Sequence, residues 1–137
     1  MSINFYFEEI EEFQLDLPKS KKWIKNTISK EGSQPGDISF IFCSDDYLLE
    51  INRQYLDHDY YTDIITFDYV QGDLISGDIF ISVDRVRENA ATFGVSFLNE
   101  LNRIVIHGVL HLLGYKDKEP EEKELMTTKE DTYLLDY

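Results

Sequence analysis

Two histidines four residues apart, His107 and His111, stand in an apolar stretch that ends at Gly114, with Asp117 shortly beyond. Residues four apart on an α-helix lie roughly 40° from each other around the axis, so the two imidazoles project together. This is a standard way for a helix to offer two nitrogen ligands to one divalent ion. Because a glycine turns the chain at a helix end, Asp117 is within reach of the same ion. The pattern predicts a metal site.

The alternative interpretation is a pair of buried histidines bonded to backbone or carboxylate groups, with Asp117 an ordinary loop acid. The HxxxH spacing alone does not separate the two interpretations. A standard HExxH metalloprotease is disfavoured, because its general base is a glutamate directly after the first histidine. That position is Gly108.

The elements that must position these side chains follow from hydrophobic periodicity and capping signals. The central helix is predicted over residues 96–113, and Pro120 starts a final helix. A turn at Pro35 and Gly36 precedes the second strand. Strands are predicted at 3–7, 37–44, 63–70 and 76–83, the last two forming a hairpin around Gly72 and Asp73, and the other helices at 20–30, from the caps at 44–46 to Tyr55, and 84–93.

These elements predict an α+β fold in a single domain spanning residues 1–137. We expect a mixed, mostly parallel four-stranded sheet with one hairpin. About five helices pack on it, and the metal site lies on the central helix at 96–113.

Composition restricts the setting of this domain. The chain has 137 residues, 42% of them hydrophobic, and no stretch approaches the ~20 apolar residues of a membrane helix. Its one cysteine, Cys43, cannot form an intrachain disulfide. No signal peptide is visible, so we expect a cytoplasmic protein with no membrane and no disulfide partner. The net charge of −14 gives no long-range steering toward nucleic acid, although it does not describe any single groove.

Residues 107–117, HGVLHLLGYKD, resemble the signature of the YbeY family of bacterial metal-dependent endoribonucleases, H-G-x-L-H-L-x-G-Y-D-H. Residues 107–115 match at every fixed position. Lys116 stands at the family's aspartate, and Asp117 stands at its third zinc-binding histidine. The resemblance implies that His107, His111 and Asp117 bind zinc, since a carboxylate can replace an imidazole.

The resemblance extends to two earlier blocks, 51–67 and 76–82. The first resembles the family's L-N-x-x-Y-R-x-x-D-x-x-T-D-V-L-S-F, and the second resembles its G-D-I-x-I-S strand. The family's arginine in the first block is Leu56 here, so its role does not transfer to that position. The matching residues are Asn52, Tyr55, Asp59, Thr62, Asp63 and Phe67, then Gly77, Asp78, Ile79, Ile81 and Ser82.

The function implied is that of a zinc-dependent single-strand endoribonuclease in ribosomal RNA maturation and ribosome quality control. Its partners would be ribosomal RNA and the ribosome or ribosome-associated proteins. A metal-activated water would attack the phosphodiester. A carboxylate at the third ligand makes the site less positive and shifts preference toward harder ions, so Mn2+ or Fe2+ are alternatives to Zn2+.

Because Leu56 replaces the family's arginine, another residue must supply the positive charge that contacts the phosphate. Arg103, one turn before His107 on the same helix, is the preferred candidate, and Arg53 is a second. The competing interpretation of Arg103 is an ordinary ion pair with an acid such as Glu100. The segment 58–63 is predicted to have a structural role rather than a catalytic one. Asp59, Thr62 and Asp63 cap the turn and hold the strand register, and His58 is a solvated loop residue.

Two other functions stay open at this point. One is a catalytically weak ribosome-biogenesis binding factor whose acidic surface meets basic ribosomal proteins, favoured by Leu56 and by the charge. The other is a metallohydrolase acting on a small substrate, because metal-bound water does not distinguish phosphodiester from acyl centres. A non-haem iron oxygenase is disfavoured, since its two-histidine, one-carboxylate ligands usually come from separate strands.

Overall fold

The computed structural model describes residues 2–137, in which a four-stranded sheet forms the centre. The strand order is β1-β2-β4-β3. The first three of these strands run parallel, and β3 pairs antiparallel with β4 as a hairpin. The predicted mixed, mostly parallel sheet is therefore confirmed. The strands are β1 Ile3–Glu8, β2 Gln34–Cys43, β3 Ile64–Asp68 and β4 Leu74–Ser82.

The part of the chain that the structure describes contains five α-helices, as predicted. Side chains of α1, α3, α4 and α5 share one core with the sheet, and α2 covers the opposite face beside Cys43 and Ile65. No helix within residues 2–137 is long and apolar enough to cross a membrane. The helices are α1 Leu17–Lys30, α2 Asp45–Leu56, α3 Val83–Phe93, α4 Phe97–Leu112 and α5 Pro120–Leu134.

Several predicted boundaries were wrong, with the largest differences at α1 and β2. Helix α1 begins at Leu17 rather than residue 20, because the Asp16 side chain accepts a hydrogen bond from the Lys19 amide and Pro18 fits the first turn. Pro35 and Gly36 lie inside β2 rather than in a turn. The strand register shifts just after them, which accommodates the proline in a sheet.

One smaller difference concerns the start of α3. The helix begins at Val83 instead of Asp84, because the Ser82 hydroxyl accepts a hydrogen bond from the Arg85 amide and caps it.

Gly108 explains how closely α4 lies on the sheet. A Cβ atom added there would sit 3.0 Å from Ile79 Cγ2 and 3.1 Å from Ile64 Cδ1. Position 108 therefore faces the sheet, and any side chain there would push the two isoleucines back from α4. A glutamate here would point into the core instead of toward the two histidines.

Cys43 ends β2 as a free thiol with no exposed surface. Burial, together with the nearby charges of Asp84 and Asp45, raises its pKa to about 12. The thiol is therefore protonated at neutral pH and is a poor nucleophile and metal ligand.

Candidate metal centre

The end of α4 turns the chain back over its last turn. The Tyr115 amide donates to the Leu110 carbonyl at 3.0 Å, and the Gly114 amide donates to the His111 carbonyl at 3.0 Å. These two bonds form a Schellman motif, and Gly114 has the positive φ of 104° that such a turn requires. The loop that follows carries Asp117 to the side of the helix on which both imidazoles project.

The three predicted ligands meet in one small cluster. Nε2 of His107 lies 3.0 Å from Nε2 of His111, and Asp117 Oδ2 lies 3.3 Å from each of these nitrogens. Zinc holds its ligands at about 2.0–2.1 Å in a tetrahedron, which requires ligand atoms roughly 3.3 Å apart. The cluster therefore matches one face of such a tetrahedron and could hold a metal ion.

The other nitrogen of each ring fixes which atom faces the cluster. Nδ1 of His107 lies 2.6 Å from Glu130 Oε2, and Nδ1 of His111 lies 2.9 Å from the Tyr115 carbonyl oxygen. Because a carbonyl and a carboxylate accept, both Nδ1 atoms carry a proton, and in the neutral rings both Nε2 lone pairs point toward each other and toward Asp117. Three electron-rich atoms so placed repel one another unless a cation lies between them.

The electrostatics of the cluster favour a cation. Burial by itself lowers the pKa of His107, but the hydrogen bond to Glu130 and its charge outweigh burial, and the pKa is raised. The carboxylates of Asp117 and Asp63 act in the same direction. Burial raises the pKa of Asp63, partly offset by the charge of His107. The same negative charges attract a metal ion, which competes with the proton for Nε2 of the imidazole.

Glu130 was missed in the sequence, although it touches a ligand directly. Its side chain is buried in α5, and its second oxygen accepts from Arg103 Nη1 at 2.8 Å. Arg103 also donates to Asp131 at 2.6 Å. The arginine thus neutralises the buried carboxylate that orients His107. These bonds hold the guanidinium of Arg103, a residue of α4, against α5. The predicted contact of Arg103 with phosphate stays a prediction.

A second carboxylate, Glu31, supports the loop after α4. Glu31 follows α1, and its side chain is only 11% exposed. It accepts from the Tyr115 hydroxyl at 2.5 Å, from Lys129 Nζ at 3.2 Å, and from the Tyr133 hydroxyl. Since the Tyr115 carbonyl bonds His111, this cluster fixes both the imidazole and the loop that carries Asp117.

The metal ligands open onto a cleft of about 620 Å³. Its far wall is formed by the segment before β3 and by β3 itself. Two contacts hold that segment: Arg53 Nε donates to Asp59 Oδ1 at 2.5 Å, and the Ser82 amide donates to the Asp63 backbone carbonyl at 2.9 Å. The loop roles expected for its side chains stay predictions. The lining residues are Asn52, Leu56, His58, Tyr60, Thr62, Asp63, Ile64, Ile65, Thr66, Asp68, His107, His111 and Asp117.

Fold and site together define an α+β protein with a three-ligand centre suited to a divalent metal at the base of an open cleft. The family model described as endoribonuclease YbeY matches residues 6–137. The chain belongs to this family, and the predicted resemblance is confirmed.

Individual members of the family are similar to this chain over nearly its full length. The chain is 49% identical to the endoribonuclease YbeY of Bacteroides thetaiotaomicron over 134 residues, covering 98% of each chain. It is 53% identical to that of Parabacteroides distasonis, over 98% of this chain and 94% of the relative. The solution structure of TM1509 from Thermotoga maritima superposes with a TM-score of 0.69 at 30% identity, covering 95% and 86% of the two chains.

Proposed function

We propose that this protein is a metal-dependent endoribonuclease that hydrolyses phosphodiester bonds in single-stranded RNA. His107, His111 and Asp117 hold the ion, and residues 1–137 act as one catalytic domain. The observation that carries the proposal is the triangle of ligand atoms with edges of 3.0, 3.3 and 3.3 Å. RNA is proposed as the substrate because the similar proteins are named endoribonucleases.

Zinc held by three protein ligands supplies a Lewis acid and a water whose pKa falls to about 7. The chain's own contribution is to aim two lone pairs through the Nδ1 hydrogen bonds to Glu130 and Tyr115. The carboxylate of Asp117 makes the centre less positive than three imidazoles would. This favours Mn2+ or Fe2+ as alternatives to Zn2+.

Elemental analysis of purified protein tests the ligand set, with Asp117→Ala beside the parent. We expect about one divalent ion per parent chain and clear depletion in the variant. Full metal retention in Asp117→Ala would move the third ligand to another group, such as Glu119.

The activity is tested by incubating single-stranded and structured RNA with metal-replete and metal-stripped protein, beside His107→Ala. Cleavage by the metal-replete parent alone is the expected result. Restored cleavage on returning Zn2+, Mn2+ or Fe2+ to stripped protein identifies the working ion.

We further propose ribosomal RNA as the substrate, with maturation and quality control of ribosomes in the cytoplasm as the setting. A second candidate is a ribosome-biogenesis binding factor with weak turnover. It is favoured by the net charge of −14 and by Leu56 in the cleft. Ribosomal subunit binding without RNA cleavage, equal in parent and His107→Ala, would support this second function.

Arg103 remains a proposed phosphate contact. Because it also bonds Glu130, the test must separate a loss of phosphate contact from a loss of metal. Arg103→Ala and Leu56→Arg are compared at matched metal content. If Arg103 contacts phosphate in the transition state, removing it lowers the cleavage rate by about 10²–10³. If it only holds Glu130, the loss appears in metal affinity, and cleavage at full occupancy is parental.

A further inference from the structure

The cleft beside the metal centre is lined by negative charges, although its proposed substrate is also negative. Three aspartates line it, Asp63, Asp68 and Asp117, whereas its lining within residues 2–137 includes no lysine or arginine. An RNA strand brings one negative charge per nucleotide, and one metal ion meets the scissile phosphate only. The flanking phosphates therefore need another donor.

The two arginines considered as phosphate contacts from the sequence are each bonded to carboxylates. Arg53 is bonded to Asp59, and Arg103 is bonded to Glu130 and Asp131. Apart from the two ligand histidines, the lining holds one side chain that can carry a positive charge, His58.

His58 is held in place by Tyr60. The two rings stack with centroids 5.1 Å apart and planes 21° from parallel, and the Tyr60 hydroxyl lies 3.0 Å from His58 Nδ1. When the hydroxyl donates to Nδ1, the ring proton lies on Nε2. Nε2–H is then a donor that Tyr60 does not use.

The pair is exposed but anchored. Asn52, only 2% exposed, donates from Nδ2 to the Tyr60 carbonyl at 2.8 Å and so fixes the backbone of this loop from beneath. The Tyr60 side chain itself is 56% exposed. A fixed backbone that presents an accessible aromatic ring is the arrangement that proteins use to stack unpaired bases.

We propose that His58 and Tyr60 form a nucleotide-binding pair opposite the metal. His58 Nε2–H donates to an RNA phosphate that flanks the scissile one, and Tyr60 both positions the imidazole and offers its ring to the adjacent base. The inference rests on the proposed function, because it takes RNA as the substrate. It assigns His58 to substrate contact instead of the solvated loop role predicted from the sequence.

Cleavage kinetics on a short single-stranded oligoribonucleotide test the pair, with metal content measured for every variant. His58→Ala should raise KM about tenfold, the loss of one hydrogen bond to a charged group, with kcat and metal content near parental. His58→Arg should restore KM, because the guanidinium supplies an N–H donor to the phosphate again. Tyr60→Phe, which keeps the ring but loses the hydroxyl, should fall between parent and His58→Ala.

Tyr69→Ala is the matched control, because Tyr69 is 58% exposed and lies outside the cleft lining. Parental KM in His58→Ala, while the parent cleaves RNA, would overturn the pair and leave the proposed function intact. A loss of metal in His58→Ala would also overturn it.

Binding of the same labelled RNA to metal-stripped protein separates the two proposals. If the stripped parent binds RNA, His58→Ala binds it about tenfold more weakly, and the metal-replete parent does not cleave, the nucleotide-binding pair stands and the nuclease assignment fails. If the parent neither binds nor cleaves RNA, both are overturned.

Discussion

The two walls of the cleft are built on different principles. On the metal wall, both ligand imidazoles are fixed through Nδ1, and Glu130 behind them is only 7% exposed. On the facing wall, His58 and Tyr60 are exposed and contact chiefly each other. On the metal wall the hydrogen bonds hold the ligand side chains themselves, whereas on the facing wall the buried Asn52 amide holds the backbone and leaves the His58 and Tyr60 side chains exposed.

The difference matches what each wall is proposed to bind. A metal ion requires ligand positions held to within a few tenths of an ångström, which only packed and hydrogen-bonded side chains provide. A single-stranded RNA varies in base and backbone conformation, so an accessible donor and ring suit it better. Substitutions on the metal wall should therefore change metal affinity, and those on the facing wall should change KM.

The largest expected effect comes from removing a ligand. His111→Ala should weaken metal binding by on the order of 10³-fold or more, since one of three ligand bonds is lost. Competition with a chromophoric chelator measures this. His58→Ala is the matched control, because it removes the histidine on the facing wall. Equal metal loss in both variants would contradict the division between the walls.

Removing the metal tests how far the metal wall depends on the ion. Helix α4 is anchored by buried apolar residues such as Leu101, Ile106 and Leu110, so the fold should persist. Chelation should cost about 4 kcal/mol of stability for an ion present at a thousand times its Kd, and lower Tm by roughly 15 °C. Circular dichroism should retain most of its helical signal. Loss of nearly all secondary structure would show that the metal creates the fold.

Glu130→Gln tests the hydrogen bond behind His107. The amide can still contact the imidazole but loses the negative charge, so metal affinity should fall about 10–100-fold. Asp131→Asn is the matched control, because Asp131 also bonds Arg103 but is exposed. It should leave metal affinity within about twofold of the parent, in keeping with an exposed ion pair. Equal losses in both would assign the effect to Arg103 instead.

The smallest effect is expected at Glu31. Burial raises the pKa of this carboxyl, but the hydrogen bonds from Tyr115 and Tyr133 outweigh burial and leave the pKa below its ordinary value of 4.5. The ionised Glu31 therefore contributes fully to the free energy of unfolding above pH 4.5. This contribution is lost as the pH falls through the lowered pKa. Glu31→Gln should cost about 1–2 kcal/mol near neutral pH and less in acid.

Urea unfolding at several pH values measures this difference. Glu124→Gln, an exposed glutamate on α5, is the control and should be nearly neutral. A cost that does not diminish in acid would contradict the assigned charge on Glu31.

The sequence by itself determined the central helix, the paired imidazoles and the turn that brings Asp117 back. These depend on periodicity and on Gly114, which act within a few residues. It also determined the four strands and the hairpin, because turn residues separate clear apolar runs. The start of α1 was encoded locally as well, in Asp16 and Pro18, and that signal was overlooked.

The tertiary structure alone decided which distant groups stand behind the ligands. Glu130 is one of many acids in α5, and nothing in its neighbourhood marks it until α5 packs against α4. Glu31 is likewise an ordinary acid after α1 until the chain folds it against Tyr115. Packing also paired Arg103 with α5. Local patterns specify helices and turns, but partners far apart in sequence are chosen by how whole elements bury their faces together.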